Sequence, residues 1–320
     1  MGAEPEISVV LPAHNEVGNI AAIAAAIARE MAPIASCEII FVDDGSSDGT
    51  LAAIRRAARG AGVRYVSFTR NFGHQAALRA GLRHARGRAV IVMDADFEHP
   101  PELIPQLIAA WRGGTKIVAT RRDDADTVSA GKRLSSRLYY YLLDTIGDVR
   151  IEPGSADFML LDRTVVDVVN GIEDQEIFLR GLVRWLGFSL TTIPYARGTR
   201  QHGASSYSLR RMVELALTGI AAHSVRPLRF AIWLALGFAA LGLLFVVYAV
   251  VSFLFVQHTV AGWSSIVAVI AILGAAQLIV LGIIGEYVGR ILRETRKRPS
   301  YIVAETEATR SAVKPVEPAA

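Results

Sequence analysis

The run VIVMDADFEHPPEL, Val90 to Leu103, sets a hydrophobic segment suited to a buried strand directly against two acids one residue apart, Asp94 and Asp96. Residues two apart on a strand point the same way. Just past a strand end, both carboxylates can therefore reach one divalent ion, directly or through a nucleotide phosphate. Mg²⁺ favours one or two carboxylates plus phosphate oxygens over a complete protein cage. A D-x-D triplet is common by chance, and its position after Val90–Met93 gives it meaning here.

Outward from this run the chain alternates strand and helix signals over residues 7–120. ISVVLPA, CEIIFVDDG, VRYVSFT, AVIVMDAD and KIVAT read as five strands; NIAAIAAAIAREM, DGTLAAIRRAAR, HQAALRAGLRHAR and PELIPQLIAAWR read as the helices between them. Such alternation argues for a mainly parallel sheet covered on both faces. Ligands of these sheets lie at the carboxyl ends of the strands, near a topological switch point. The unusual polar residues gather at those ends, in PAHNE, DDGSSDG, TRNFG and DADFEHP. Acids at a strand end can accept hydrogen bonds from a base N–H or from ribose hydroxyls, and Arg70 can face a pyrophosphate.

Rival motifs fail on spacing. Asp44, Ser46, Asp48 and Gly49 partly match a calcium loop, but its twelfth position is Arg55, where a bidentate Glu is needed. Neither a P-loop nor a G-x-G-x-x-G follows the first strand. Cys37 is the single cysteine, so an internal disulfide is excluded. His14, His74, His99 and His202 are scattered and read as structural.

At 52% hydrophobic and 20% charged residues, with mean hydropathy +0.35, the chain is too apolar for an ordinary soluble enzyme and too charged for a purely membrane-embedded one. Phe230–Val256 and Thr259–Gly285 carry no charged side chain, and each exceeds the roughly 20 residues that a spanning helix needs. A pair of buried soluble helices is disfavoured, because such helices keep a polar face. The short QHTVAGW connection predicts a hairpin. Arg226 and Arg229 before it, and Arg290, Arg293, Arg296, Lys297 and Arg298 after it, place both ends in the cytoplasm by the positive-inside rule. GKRLSSRLYYYLLDTIG reads as an amphipathic helix, either at a membrane surface or on an ordinary protein surface. The tail from Ala304 is Ala/Glu/Pro-rich and reads as disordered.

Taken together, ISVVLPAHNE, EIIFVDDGSSDGT, RNFGHQAALRAGL and VIVMDADFEHPPELIP resemble the GT-A glycosyltransferases of family 2, and more narrowly their polyprenyl-phosphate branch, which includes dolichol-phosphate mannose synthase and the bactoprenol glucosyltransferases. ADFMLLDRTVVD, FLRGLVRWLGF and the two apolar runs match the bactoprenol type, so the resemblance covers roughly residues 7–295. It implies a Rossmann-like GT-A domain over 1–210, a juxtamembrane amphipathic helix over 211–229, two transmembrane helices over 230–290 and a basic cytoplasmic segment with a disordered tail over 291–320.

The resemblance also implies roles. Pro12, Asn15, Glu16, Asp43, Asp44 and Arg70 would line the nucleotide-sugar pocket, with Asp44 the base contact. Asp94 would lie near ribose and metal, Asp96 would ligate Mg²⁺ or Mn²⁺, and Asp157 would stand at the reaction centre. Arg121, Lys132, Arg133, Ser136, Arg200 and Ser206 would hold the lipid phosphate. In RQHGASSY, Ser206, just before Tyr207, stands where the family's R-x-x-G-x-S-K-Y has Lys, so one cationic contact is missing, and Phe97-Glu98 replaces the commoner Leu-Gln. The implied activity is inverting transfer of one hexose from a nucleotide-diphosphate sugar, UDP favoured, to a polyprenyl phosphate such as undecaprenyl phosphate at the cytoplasmic face of a bacterial membrane. The rivals are transfer of a modified pentose such as formyl-aminoarabinose, and a non-catalytic nucleotide-sugar-binding scaffold. A homo-oligomer, by analogy a tetramer, is expected, and no nucleic-acid partner.

Overall fold

The computed structural model describes residues 4–60, 62–122, 154–174, 178–195, 235–244, 247–248, 251, 262–296 and 298–308. The described residues fall into two units, one comprising residues up to 195 together with 298–308, the other residues 235–296.

In the first unit, β1 (Ile7–Ala13), β2 (Cys37–Asp43), β3 (Val63–Phe68) and β4 (Ala89–Val92) alternate with α1 (Ile20–Met31), α2 (Thr50–Ala57) and α3 (His74–His84). A 3-10 turn at Pro101–Leu103 leads into α4 (Ile104–Arg112) and β5 (Ile117–Arg122). There follow β6 (Ser155–Asp162), α5 (Arg163–Gly171), α6 (Leu179–Trp185), β7 (Leu190–Tyr195) and, far along the chain, β8 (Val303–Thr306). The strands form one sheet in the order β7-β5-β6-β4-β1-β2-β3-β8. β1, β2 and β4 are buried over nearly their whole length, as strands covered on both faces must be. Ile20, Ile23, Ile27 and Met31 of α1, with Ile54 of α2 and Ile104, Leu107 and Ile108 of α4, fill one core layer. Leu78 and Leu82 of α3, Val165, Val166 and Val169 of α5, and Leu179 and Val183 of α6 fill the other.

β1 pairs in parallel with β2 on one side and β4 on the other, which makes it the switch point of the sheet. The carbonyls of Glu6 and Val10 accept from Ala89 and Met93 on the β4 side. Pro12, two residues beyond Val10, turns its nitrogen the same way, past Val92, where the ladder with β4 ends. A proline without N–H thus sits where no strand asks for a donor.

Two features depart from the reading of the sequence. β6 inserts between β4 and β5 and runs antiparallel to both, so β5 does not continue the parallel series directly. The strand Val303–Thr306 pairs antiparallel with β3, whereas the tail from Ala304 is expected to be disordered.

In the second unit, α7 (Trp263–Thr295) contains Ile272–Gly289, a stretch of mean hydropathy 1.8 that is 6% buried and is long and apolar enough to cross a membrane. Ala235–Leu244 forms a shorter apolar helix, and the rest of the first apolar run is largely outside the described residues. Leu278 is 71% and Leu281 61% exposed. An apolar helix that is not buried in its own protein suits a lipid environment.

Candidate active site

β4 delivers Met93, fully buried, and then a tight loop. Asp96, 8% exposed, accepts the backbone N–H of Glu98 at 3.0 Å. This Asx-type turn fixes the carboxylate beside the strand end. Phe97 takes φ +64°, which bends the loop back on itself. The backbone N–H of Asp94 donates to Nδ1 of His99 at 2.9 Å. Nδ1 is therefore an acceptor and the ring neutral. Burial is the main reason that His99 is held below the ordinary imidazole range, against the opposing pull of Asp94, Asp96 and Asp157. The 3.6 Å approach of His99 to the Asp94 carboxylate is accordingly a contact rather than an ion pair. His99 stacks on Phe158 of β6, with ring centroids 5.2 Å apart.

His74, the first residue of α3, has a different setting. Its Nε2 lies 3.3 Å from Oδ2 of Asp157 and 3.7 Å from Oδ1 of Asp94. Burial disfavours its charged form, but the hydrogen bond to Asp157 and the charges of Asp94 and Asp157 outweigh that and raise its pKa. Asp157, 3% exposed on β6, is gripped by Arg180 of α6 in a two-pronged pair, Nε to Oδ1 at 2.6 Å and Nη2 to Oδ2 at 2.7 Å. Arg180 also donates to the carbonyl of Ser155 at 3.0 Å. Burial alone would raise the Asp157 pKa; hydrogen bonds from His74 and Arg180, and the guanidinium charge, instead hold it well below the usual carboxylate range.

The other strand ends are laced together. Asn15, at φ +57°, accepts the N–H of Ser47 at 2.9 Å, and its own N–H donates to Oγ of Ser46. Glu16 donates its N–H to Thr50 and accepts from Asn19 at 2.6 Å. Asp43, 1% exposed, accepts from Ser46 N–H and from the Ser67 hydroxyl. Asp44, 3% exposed, accepts the N–H groups of Phe72 and Gly73 at 2.6 and 2.9 Å, one on each oxygen. Its carboxylate is engaged in shaping the β3–α3 loop. In that loop the exposed Arg70 lays its guanidinium 4.0 Å from the Phe72 ring centroid, a cation–π contact. Gly45, at φ +63°, packs against the Arg70–Asn71 peptide so closely that a Cβ would lie 2.5 Å from the Asn71 nitrogen. Gly45→Ala is expected to displace this loop, costing about 2 kcal/mol from backbone strain and overpacking together. Hydrogen–deuterium exchange at residues 69–74 and a thermal melt of the variant would measure the displacement and the cost.

Among the sequence-predicted residues, Pro12, Asn15, Glu16, Asp43, Asp44, Arg70, Asp94 and Asp96 all stand at the carboxyl ends of β1 to β4, and His74 brings Asp157 to Asp94. Arg121 lies exposed on β5, opposite Ser155 and Pro194. Lys132, Arg133, Ser136, Arg200 and Ser206 lie outside the described residues. Sequence reasoning missed Arg180 and the bridging place of His74. For His74 the available signal was its position opening a helix at a strand-end loop; for Arg180 it was the place of that residue in FLRGLVRWLGF, which gives no hint of a partner 23 residues away.

Asp94 and Asp96 offer oxygen ligands only, and no cluster of three or more His, Cys, Asp or Glu side chains able to hold a metal occurs among the described residues. That donor set fits Mg²⁺ or Mn²⁺ completed by phosphate oxygens, and does not fit a closed structural zinc site.

Residues 8–169 match the family described as glycosyl transferase family 2, and the chain belongs to that family; it is a glycosyltransferase. Residues 226–291 match the GtrB C-terminal hairpin. The chain is 36% identical over 304 residues to the SfII prophage-derived bactoprenol glucosyl transferase of Shigella flexneri, covering 94% of this chain and 98% of that protein. It is also 36% identical over 270 residues to the Uncharacterized glycosyltransferase YkcC of Bacillus subtilis (strain 168), covering 84% of each. Among solved structures, the mannosyltransferase PcManGT of Pyrobaculum calidifontis, in complex with GDP-Man and Mn²⁺, superposes with TM-score 0.50 at 19% identity, covering 87% of this chain and 88% of that one. This last likeness speaks for the fold.

Proposed function

We propose that the protein transfers one hexose, with inversion, from UDP-hexose to a polyprenyl phosphate such as undecaprenyl phosphate, at the cytoplasmic face of a bacterial membrane in which the C-terminal hairpin is embedded. The observation that carries the reading is the meeting of Asp94 and Asp157 across His74 just past the end of β4, at the β1/β4 switch point, with Asp96 held by its turn two residues beyond Asp94. The near full-length match to a bactoprenol glucosyl transferase supports the acceptor, and the long apolar α7 supports the membrane.

On this reading Pro12, Asn15, Glu16 and Asp43 frame the nucleotide pocket, and Arg70 faces the diphosphate. Asp44 acts on the base side chiefly through the loop that it shapes. Asp94 and Asp96 would hold Mg²⁺ or Mn²⁺, which when bound offsets the negative charge growing on the leaving diphosphate. The bond from the anomeric carbon to the diphosphate oxygen breaks, and its electron pair leaves with the nucleoside diphosphate. An oxygen of the lipid phosphate forms the new bond from the opposite face. With a second pKa of about 6, that phosphate carries no proton on the attacking oxygen at neutral pH. Asp157, held ionised by Arg180, therefore suits orienting the sugar or acceptor better than collecting a proton. Arg121, with Lys132, Arg133, Ser136, Arg200 and Ser206, is assigned to the lipid phosphate. The working form is a homo-oligomer.

The test incubates the full chain in detergent micelles with undecaprenyl phosphate and radiolabelled UDP-glucose, UDP-N-acetylglucosamine or GDP-mannose, with Mg²⁺ or Mn²⁺ and with EDTA. The expected result is a single-sugar lipid product from one UDP-hexose, abolished by EDTA. Absence of any lipid-linked product from this donor panel under all metal conditions would overturn the reading.

A further inference from the structure

The first unit contains one strand contributed from the far end of the chain. Tyr301 follows the last residue of α7, Thr295, after a short stretch that includes Arg296 and Arg298. From Tyr301 onward the chain lies along β3. The N–H of Thr69 donates to the carbonyl of Ile302 at 3.1 Å, and the register with β8 shifts between Ser67 and Phe68, a bulge just before the donor-site loop. Bulges commonly re-aim the residues beside a site. Glu305 anchors the strand by a two-pronged pair with Arg55, at 2.8 and 2.6 Å, and accepts the Tyr65 hydroxyl at 3.0 Å. Glu307 accepts from Nε of Arg64 at 2.8 Å and from the N–H of Tyr65 at 3.1 Å.

The contacts of Tyr301 lead into the site. Its ring stacks on Phe68, with centroids 4.9 Å apart and planes 15° from parallel. Phe68 meets Phe72 edge-on at 5.8 Å, and Phe72 underlies the Arg70 guanidinium at 4.0 Å. Four π or cationic groups thus form one continuous series of contacts from the re-entering segment to the arginine of the β3–α3 loop. Two backbone N–H groups of that loop, those of Phe72 and Gly73, donate to Asp44. An exposed loop arginine is ordinarily free to sample many rotamers, and ordering it costs entropy at the moment of binding. A stack beneath it lowers that cost in advance.

We propose that Tyr301 is a positioning residue of the donor site, fixing Phe68 and Phe72 and through them Arg70, so that the segment re-entering after the hairpin sets donor affinity. The inference rests on the donor reading above for its functional half. Its structural half, the hold on residues 69–74, stands apart from that reading and is measured separately.

The experiment uses the full chain in detergent micelles and compares wild type, Tyr301→Ala and Tyr301→Phe. Hydrogen–deuterium exchange without any ligand is read at residues 69–74 and at β1. Loss of one aromatic stack corresponds to about a tenfold change in local opening. Tyr301→Ala should therefore speed exchange at 69–74 about tenfold and leave β1 unchanged, and Tyr301→Phe should match wild type. In steady-state assays with the panel donor that wild type uses, Tyr301→Ala should raise KM about tenfold and keep kcat within about twofold. Unchanged exchange at 69–74, an equal acceleration in β1, or a fall in kcat at constant KM would each overturn the proposal. If wild type uses none of the panel's donors while the local exchange result holds, the donor reading fails and the positioning of the loop by Tyr301 stands.

Discussion

Asp96→Asn is expected to lower kcat for lipid-linked sugar formation by about a thousandfold, while the thermal midpoint moves little. The substitution isolates charge. Asparagine keeps an Oδ1 that can accept the N–H of Glu98, so the turn holding the side chain at the end of β4 survives. What disappears is one of the two formal charges that would anchor a divalent ion. A bound ion that balances a developing diphosphate charge contributes several kcal/mol to the transition state, and about 4 kcal/mol corresponds to a thousandfold in rate. Asp94→Asn should act in the same direction. Its side chain is more exposed than that of Asp96 and touches His74 at 3.7 Å, so donor KM is expected to rise as well. Initial rates in saturating donor, with and without EDTA, check both variants. EDTA should abolish wild-type turnover and take little further from Asp96→Asn. A folded Asp96→Asn variant that keeps more than about a tenth of wild-type kcat, a deficit of under 1.4 kcal/mol, would remove the chemical role assigned to this acid.

The strand-end residues were legible in the sequence because the physics there is local. A buried parallel strand reads as an unbroken apolar run, and its end is marked by whatever polar residue comes next. Pro12, Asp43, Arg70 and Asp94 were located in this way, as was the apolar hairpin pattern now matched over residues 226–291. Direction and partner were not legible. The apolar run Phe158–Leu161 looks the same whether β6 lies antiparallel between β4 and β5 or elsewhere in the sheet. Asp44 stands where expected, yet the amides on its two oxygens, those of Phe72 and Gly73, come from a loop whose approach depends on tertiary packing. The strand at Val303–Thr306 was hidden for a plainer reason. Its composition resembles a solvated tail, and the partners that make Glu305 and Glu307 ordered, Arg55 and Arg64, lie 250 and 243 residues away. Long-range charge pairing leaves no periodic trace.

The same limit concealed Arg180, and its removal should have the second-largest effect on this protein. Asp157 exposes 4% of its side chain, and both of its oxygens are held by Arg180. Arg180→Ala leaves a buried carboxylate with His74 as its remaining cationic neighbour among the described residues. Breaking one side of a buried pair costs more than the pair itself contributes, because the surviving charge stays desolvated; a loss of about 3 kcal/mol is expected at neutral pH. Arg180→Lys keeps the charge and loses the fork, and should fall between the two. The pH dependence has a definite sign. Burial raises the Asp157 pKa, the Arg180 and His74 interactions more than reverse this, and the folded value lies below the unfolded one. The stabilisation is therefore fully present above the ordinary carboxylate pKa of about 4 and is lost as pH falls toward the folded value. Denaturation of wild type and Arg180→Ala, followed from pH 7 to pH 3 in the same detergent, should show the gap between them narrowing on the acid side, where the orphaned carboxyl can take up a proton. A gap that stays constant, or an Arg180→Ala variant as stable as wild type at pH 7, would mean that Asp157 finds water or another cation. In that case the arginine fork would not be what keeps this acid ionised beside Asp94.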